Sequence, residues 1–253
     1  MVIWRRKIQR LARLTPKRAT VVLLTLIVCL LAQGCFWTEE PPLFEVTGSD
    51  DNFDVHYEWN YRGSRWQYDA QIPRSTYEYF SNKERTASYQ EYVLNPLDDE
   101  WMSHVAGLFT QWSAEQGWGE WDTVSFVLSF VHSMPYTSDK VTTGYDEYPR
   151  YPVETIVDGG GDCEDTSILF ASIIREMDYG VVLLKLEEDA HMAVGVLVSQ
   201  DVVNNWQGRY PLTYYTTEEG KVYAYCETTG DGWELGQKPE DLTSQTAEII
   251  DVS

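Results

Sequence analysis

Apolar and polar residues first alternate with a period of two. From Phe53 to Tyr61, Val55, Tyr57 and Trp59 fall on one side of the chain, which predicts a strand. Arg62-Gly63-Ser64 supplies a turn, and Trp66 and Tyr68 begin a second strand. The stretches 77–79 and 89–94 fit neither strand nor helix spacing. The period then lengthens. Trp101, Val105, Leu108, Phe109 and Trp112 recur at helical spacing and predict a helix over 99–116. Val124, Val127, Leu128 and Val131 predict another over 122–132, which Met134-Pro135 ends. Residues 136–158, rich in Tyr, Asp, Gly and Pro, read as a long ordered loop. The helix beginning at Cys163 is the most apolar, with Ile168, Leu169, Phe170, Ala171, Ile173, Ile174 and Met177 leaving little polar face, so it should be central and buried. Gly180 is expected to close it. Strands follow at 181–186, 192–198 and 222–228. Helices followed by an antiparallel run of strands give an α+β layout.

The N-terminus is set apart by charge. Residues 1–18 carry seven Lys or Arg and no acid, residues 19–32 are almost wholly apolar, and Gln33-Gly34-Cys35 follow. This is the pattern of an export signal. Fourteen helical residues span about 21 Å, less than the roughly 30 Å hydrocarbon core of a membrane. Extension through Cys35, Phe36 and Trp37 reaches nearly 28 Å, so an uncleaved anchor is the alternative. The Ala32-Gln33-Gly34-Cys35 junction resembles the lipobox of exported lipoproteins, which implies lipidation of Cys35. Residues 35–52, with Pro41-Pro42, Gly48 and five acids beyond Phe36, read as an acidic tether, and 53–253 as the folded domain. Each reading places the domain outside the membrane.

Without residues 1–34 the net charge falls from -21 to -28. Phosphate binding needs a basic surface, so nucleic acid is excluded as a partner. The same charge repels an anionic lipid surface and leaves tethering to the N-terminal anchor. Only Cys35, Cys163 and Cys226 lie beyond the signal, too few for a disulfide-framed scaffold.

The candidate chemistry centres on Cys163. Gly159-Gly160-Gly161-Asp162 lead into it, and the apolar helix starts at once. A helix N-terminus favours a thiolate, the reactive form of a cysteine. A cysteine nucleophile also needs a base, and the base an orienting acceptor. Of His56, His104, His132 and His191, the last opens a strand 28 residues downstream and can present its ring to the thiol. The third member should be an acid on the neighbouring strand; Glu227 and Asp231 are the candidates. Cys226, next to Glu227 in an alternating strand, should face the other way.

Gly161-Asp162-Cys163-Glu164-Asp165 before an apolar helix, His191 opening a strand, and Glu227-Thr228-Thr229 together resemble the transglutaminase-like superfamily, particularly its exported archaeal and bacterial members. Tyr151-Pro152-Val153-Glu154-Thr155 and the run from Phe130 to Thr137 add to the likeness, which covers roughly residues 53–240. The resemblance implies a papain-like fold and a triad in which Cys163 is the nucleophile, His191 the base and Glu227 the orienting acid, although that third position is usually Asp. It implies acyl transfer at amide bonds of a protein or peptide substrate, as peptidase, deamidase or cross-linker, with no required cofactor. The Cys163 amide can supply one oxyanion donor, with His132 or Tyr136 as candidates for a second. The acids Asp162, Glu164 and Asp165 oppose thiolate formation. In some periplasmic relatives the acids flanking the cysteine bind calcium, and Asp162 and Glu164 match those positions; Asp139, Asp146 and Glu147 could add oxygens. The alternative reading is a non-catalytic binding module at the cell surface that keeps the fold.

Overall fold

Period-two alternation does build a hairpin. In a computed structural model describing residues 44–138 and 148–252, β2 (Asn52–Tyr61) and β3 (Ser64–Pro73) pair antiparallel through Tyr61↔Ser64. Arg62 and Gly63 both have positive φ, 50° and 75°. That is the backbone of a two-residue turn whose twist matches the flanking strands. Val55, Tyr57 and Trp59 are buried on one face, as their spacing predicts. The segment read as a tether is corrected in part: Phe44–Gly48 is a strand, β1, antiparallel to β2. Its aromatic residue explains this, because the Phe44 ring lies 4.7 Å from that of Tyr57. The remainder of 1–43, including Cys35 and both readings of the anchor, lies outside the described residues. Among those that are described, no helix is long and apolar enough to cross a membrane.

Helices cover the hairpin. α1 (Arg74–Ser81) and α2 (Gln90–Val93) occupy the two stretches of ambiguous spacing. α3 (Pro96–Gln116) starts where Asn95 accepts a hydrogen bond from the Leu97 amide, with Pro96 in the first turn, and stops at Gly117 in the left-handed conformation. α4 (Glu120–Val131) follows. Between hairpin and helices, Trp59 stacks near Phe126 and Phe130, and the Trp66 and Phe126 centroids are 4.6 Å apart.

The expected loop over 136–158 contains a helix, α5 (Pro152–Asp158). Pro152 stands at its first position, and the Glu154 carboxylate accepts from the Tyr151 amide in a capping box. Seven residues are too few to reveal a helical period against that composition. Residues 139–147, with Asp139, Asp146 and Glu147, lie outside the described residues.

α6 (Cys163–Glu176) is central, packed against α2, α3, α4 and α5 on one side and against β4 (Val181–Leu186) and β5 (His191–Val198) on the other. Every residue from Asp165 to Ile174 is buried. Its end is made by Asp178, at φ 63°, not by Gly180. A Cβ on Gly180 would meet Leu197, so that glycine serves close packing instead. After a 3-10 turn at Glu187–Asp189 and β5 come α7 (Gln200–Asn204), β6 (Tyr214–Thr216), β7 (Val222–Cys226) and β8 (Glu248–Asp251). The second sheet has the order β6-β7-β5-β4-β8, antiparallel throughout. The described residues thus form a mixed α+β fold with helices on one face of an antiparallel sheet.

One buried group works against the fold. Asp98, in the first turn of α3, is 1% exposed, and neither carboxylate oxygen makes a well-aligned hydrogen bond. Burial pushes its pKa well up, with only partial relief from the Val153 backbone. An acid whose pKa rises on folding favours the native state while protonated, and that contribution is lost as pH rises through the folded value. Asp98→Asn is therefore expected to stabilise the protein at pH 8 by about 1–3 kcal/mol, with little effect below pH 4. Urea denaturation at both pH values checks this, and an unchanged midpoint at pH 8 refutes it.

Candidate active site

The approach to Cys163 is built by a buried ion pair. Arg150 is 1% exposed and Asp165 is fully buried. The Arg150 guanidinium pairs with the Asp165 carboxylate, and its amide donates to Asp165 Oδ1 at 2.7 Å. Arg150 Nε also donates to Asp158 Oδ2 at 3.1 Å, at the end of α5. One cation thus joins the end of α5 to the start of α6 around the glycine turn. Gly159, at φ 74°, closes α5, and a Cβ on Gly161 would lie 2.4 Å from Asp165 Cβ. Asp162 caps α6 in a box with Asp165, whose Oδ2 accepts from the Asp162 amide at 3.3 Å.

These contacts give the three acids beside the thiol different tasks. Asp165 and Asp162 organise the helix start. Glu164 faces the sulfur, and Cys163 Sγ–H donates to Glu164 Oε2 at 3.3 Å. Burial and then Glu164 push the thiol pKa well above its ordinary value, while the Met192 backbone pulls the other way. A helix N-terminus contributes only about 0.3–1 kcal/mol toward the thiolate. Burial and Glu164 outweigh it in this arrangement.

β5 brings His191 beside this helix start. Ser167 Oγ donates to the Met192 carbonyl at 3.3 Å, and Thr228 Oγ1 lies 3.0 Å from both Thr166 Oγ1 and Ser167 Oγ. His191 Nε2 donates to Glu227 Oε2 at 3.0 Å. Among the described residues no hydrogen bond joins the ring to Cys163, whose donor is turned to Glu164.

Glu227 is 1% exposed and fully engaged. Besides His191, it accepts from Tyr225 Oη at 2.7 Å, from the Thr229 amide at 3.0 Å and from Thr229 Oγ1 at 2.6 Å. Burial alone would raise its pKa, but these hydrogen bonds and the charge of His191 hold it below the usual carboxylate range. β7 ends at Cys226, two residues earlier than the expected 222–228, so Glu227 stands just past the strand. Cys226 is a buried free thiol in the core on the α6 side, and Cys163 is also free. Asp231 remains in the Gly230–Gly232 turn, where both glycines have positive φ.

His132, at the end of α4, is drawn to the same place: its Nε2 donates to the Glu227 carbonyl at 2.7 Å. The ring nitrogen considered as an oxyanion donor is therefore directed at the main chain. Tyr136 is 59% exposed and forms a parallel bridge with Gly161, whose carbonyl accepts from the Thr137 amide at 2.9 Å. Tyr225 and Thr229 were not foreseen. Alternation from the strand relates Tyr225 to position 227, whereas Thr229 lies in the bend beyond the strand and no local period marks it.

Calcium takes six to eight oxygen ligands. Asp165 is committed to Arg150, Glu164 to the thiol and Asp162 to the helix cap. Among the described residues no group of three or more His, Cys, Asp or Glu is arranged to hold a metal ion.

No family model and no curated protein sequence matches this chain. Among solved structures, Legionella pneumophila LapG (EGTA-treated) is similar over 69% of this chain and 78% of that one, at 16% identity and a TM-score of 0.36. Legionella pneumophila LapG (calcium-bound) is similar over 40% of this chain and 66% of that one, at 26% identity and a TM-score of 0.24. Similarity at these scores assigns neither a family nor an activity.

Arg150→Met leaves Asp165 buried without its cation and is expected to cost about 3–5 kcal/mol. Adding Asp165→Asn removes the stranded charge and should recover a large part of that loss. Urea denaturation of the two variants checks this; equal stability of the single and double variants overturns the account of the pair.

Proposed function

We propose that this chain is an exported, membrane-tethered thiol enzyme that acts on amide bonds by acyl transfer, with a protein or peptide as substrate. The observation that carries the reading is the 3.0 Å bond from His191 Nε2 to a fully engaged Glu227, beside a cysteine that opens a buried helix. A solvated surface histidine has no need of a buried carboxylate held by three further donors. Export and tethering rest on the N-terminal sequence alone.

In this reading Glu227 fixes the ring with hydrogen on Nε2 and leaves Nδ1 as the acceptor. Productive chemistry requires the Cys163 side chain to leave Glu164 and donate to Nδ1; such bonds often tighten only with substrate bound. His191 takes the thiol proton as sulfur attacks the amide carbonyl carbon. The carbonyl electrons move to oxygen, where the Cys163 amide, unpaired by position at the start of the helix, can stabilise the charge. The amine leaves with the proton from the imidazolium, and a thioester remains. Water or a second amine, deprotonated by His191, then releases the acyl group and restores the thiol.

A specific observation favours the second reading, a non-catalytic binding module: the thiol is bonded to Glu164 and its pKa is raised. Iodoacetamide alkylation of the full chain at pH 7, followed at Cys163 by peptide mapping, separates the two. The enzyme reading predicts that Cys163 reacts faster than a model thiol and that His191→Ala slows it roughly 100-fold. A model-thiol rate unaffected by His191→Ala establishes the module. Mass spectrometry of a peptide library, with and without added amine, then distinguishes cleavage, deamidation and cross-linking, each of which should vanish in Cys163→Ser.

A further inference from the structure

We propose that His132 is a positioning residue for the Glu227–His191 pair and acts through the Glu227 main chain. The inference rests on the reading of Cys163, His191 and Glu227 as a triad.

Glu227 has an unusual task for its place in the chain. The last ladder pair of β7 with β5 is Val194↔Cys226, so the sheet no longer fixes the main chain at 227. Its carboxylate must nevertheless meet a ring on β5. A glutamate side chain has one more rotatable bond than an aspartate, and its aim depends more heavily on where its backbone is held. His132 supplies that hold. Nε2 donates to the Glu227 carbonyl at 2.7 Å across 95 residues of sequence. A buried carbonyl just past a strand requires such a donor.

The ring is itself fixed by the end of α4. The His132 amide donates to the Leu128 carbonyl at 2.9 Å, and the following two amides close turns onto Phe130 and Val131. The chain then runs past the glycine turn, with Thr137 bonded to Gly161 two residues before Cys163. A single short segment therefore touches both the approach to the nucleophile and the backbone of the orienting acid. Burial lowers the pKa of His132, while Glu227 and Asp231 oppose that shift. A neutral ring with hydrogen on Nε2 suits a donor to a carbonyl. The role differs from that of an oxyanion donor, because the ring meets the main chain of the acid and not the reacting carbonyl.

His132→Gln and His132→Met test this at nearly equal volume, the first with a donor near the Nε2 position and the second without one. Two readouts are needed on the full chain: the downfield proton resonance of His191 Nε2–H, assigned by its loss in His191→Gln, and the rate of Cys163 alkylation by iodoacetamide. His132→Met is expected to lose the resonance and to slow alkylation roughly tenfold. His132→Gln is expected to restore most of both. Near-ultraviolet circular dichroism confirms that each variant is folded, and comparing the two removes any loss shared through packing. Equal behaviour of Gln and Met in both readouts overturns the proposal. If His191→Ala and Glu227→Gln also leave alkylation unchanged, the triad reading fails; if they slow it and His132→Met does not, only the role of His132 fails.

Discussion

The buried Arg150–Asp165 pair is the constraint on which the rest of the site depends. α6 is surrounded by apolar contacts that fix its axis, but apolar contacts are non-directional and do not fix where a helix begins. The start is set by hydrogen bonds with defined geometry. Asp165 receives the guanidinium and the amide of Arg150, and returns a carboxylate oxygen to the Asp162 amide. Desolvating both charges costs more than their attraction recovers unless each lone pair is used. Here the arrangement uses them at the point where a one-residue slip would move Cys163 by about 100° around the helix. Arg150 also offsets Asp158, a negative group at the negative end of α5, and so reconciles two helix termini within one turn.

Charge close to Cys163 then acquires a spatial logic. Three acids within two residues of a thiol would suppress thiolate formation if all faced it. Asp162 and Asp165 build the helix start, and only Glu164 is bonded to the sulfur, although the charge of Asp162 also pushes the thiol pKa up. The carboxylate bonded to His191 meets the opposite problem. Glu227 is buried, yet four donors keep it charged, and a fifth contact from His132 holds its carbonyl. Tyr225 in the strand and Thr229 in the bend that follows it supply three of those four donors.

Periodic elements were legible in the sequence because their signal is repeated. The β2–β3 hairpin, α3, α4, α6 and the strands β4, β5 and β7 each repeat an apolar position several times. Short elements were not. α5 has seven residues and is specified by Pro152 and Glu154 at its cap, while β1 depends on Phe44 meeting Tyr57. The pairing of His191 with Glu227 was anticipated from chain order and strand alternation. Arg150 was not, since nothing local marks it: its partner lies 15 residues away, and its burial follows from the tertiary fold. Long-range polar contacts leave no period in a sequence.

The geometry at Cys163 finally separates two properties that the sequence merges. A helix N-terminus and a histidine on the adjacent strand both argue for an activated thiol, yet the sulfur is bonded to Glu164 and its pKa is raised. The His191–Glu227–His132 connection, by contrast, is made by a buried carboxylate and its own main-chain carbonyl. The polar contacts of the site therefore gather on His191 and Glu227, while Cys163 makes its one side-chain hydrogen bond to its chain neighbour Glu164. On the proposed acyl-transfer reading, displacing the Glu164 carboxylate from the sulfur would free the thiol donor for His191 and remove the negative charge bonded to it, so that substrate binding and activation would share a single step.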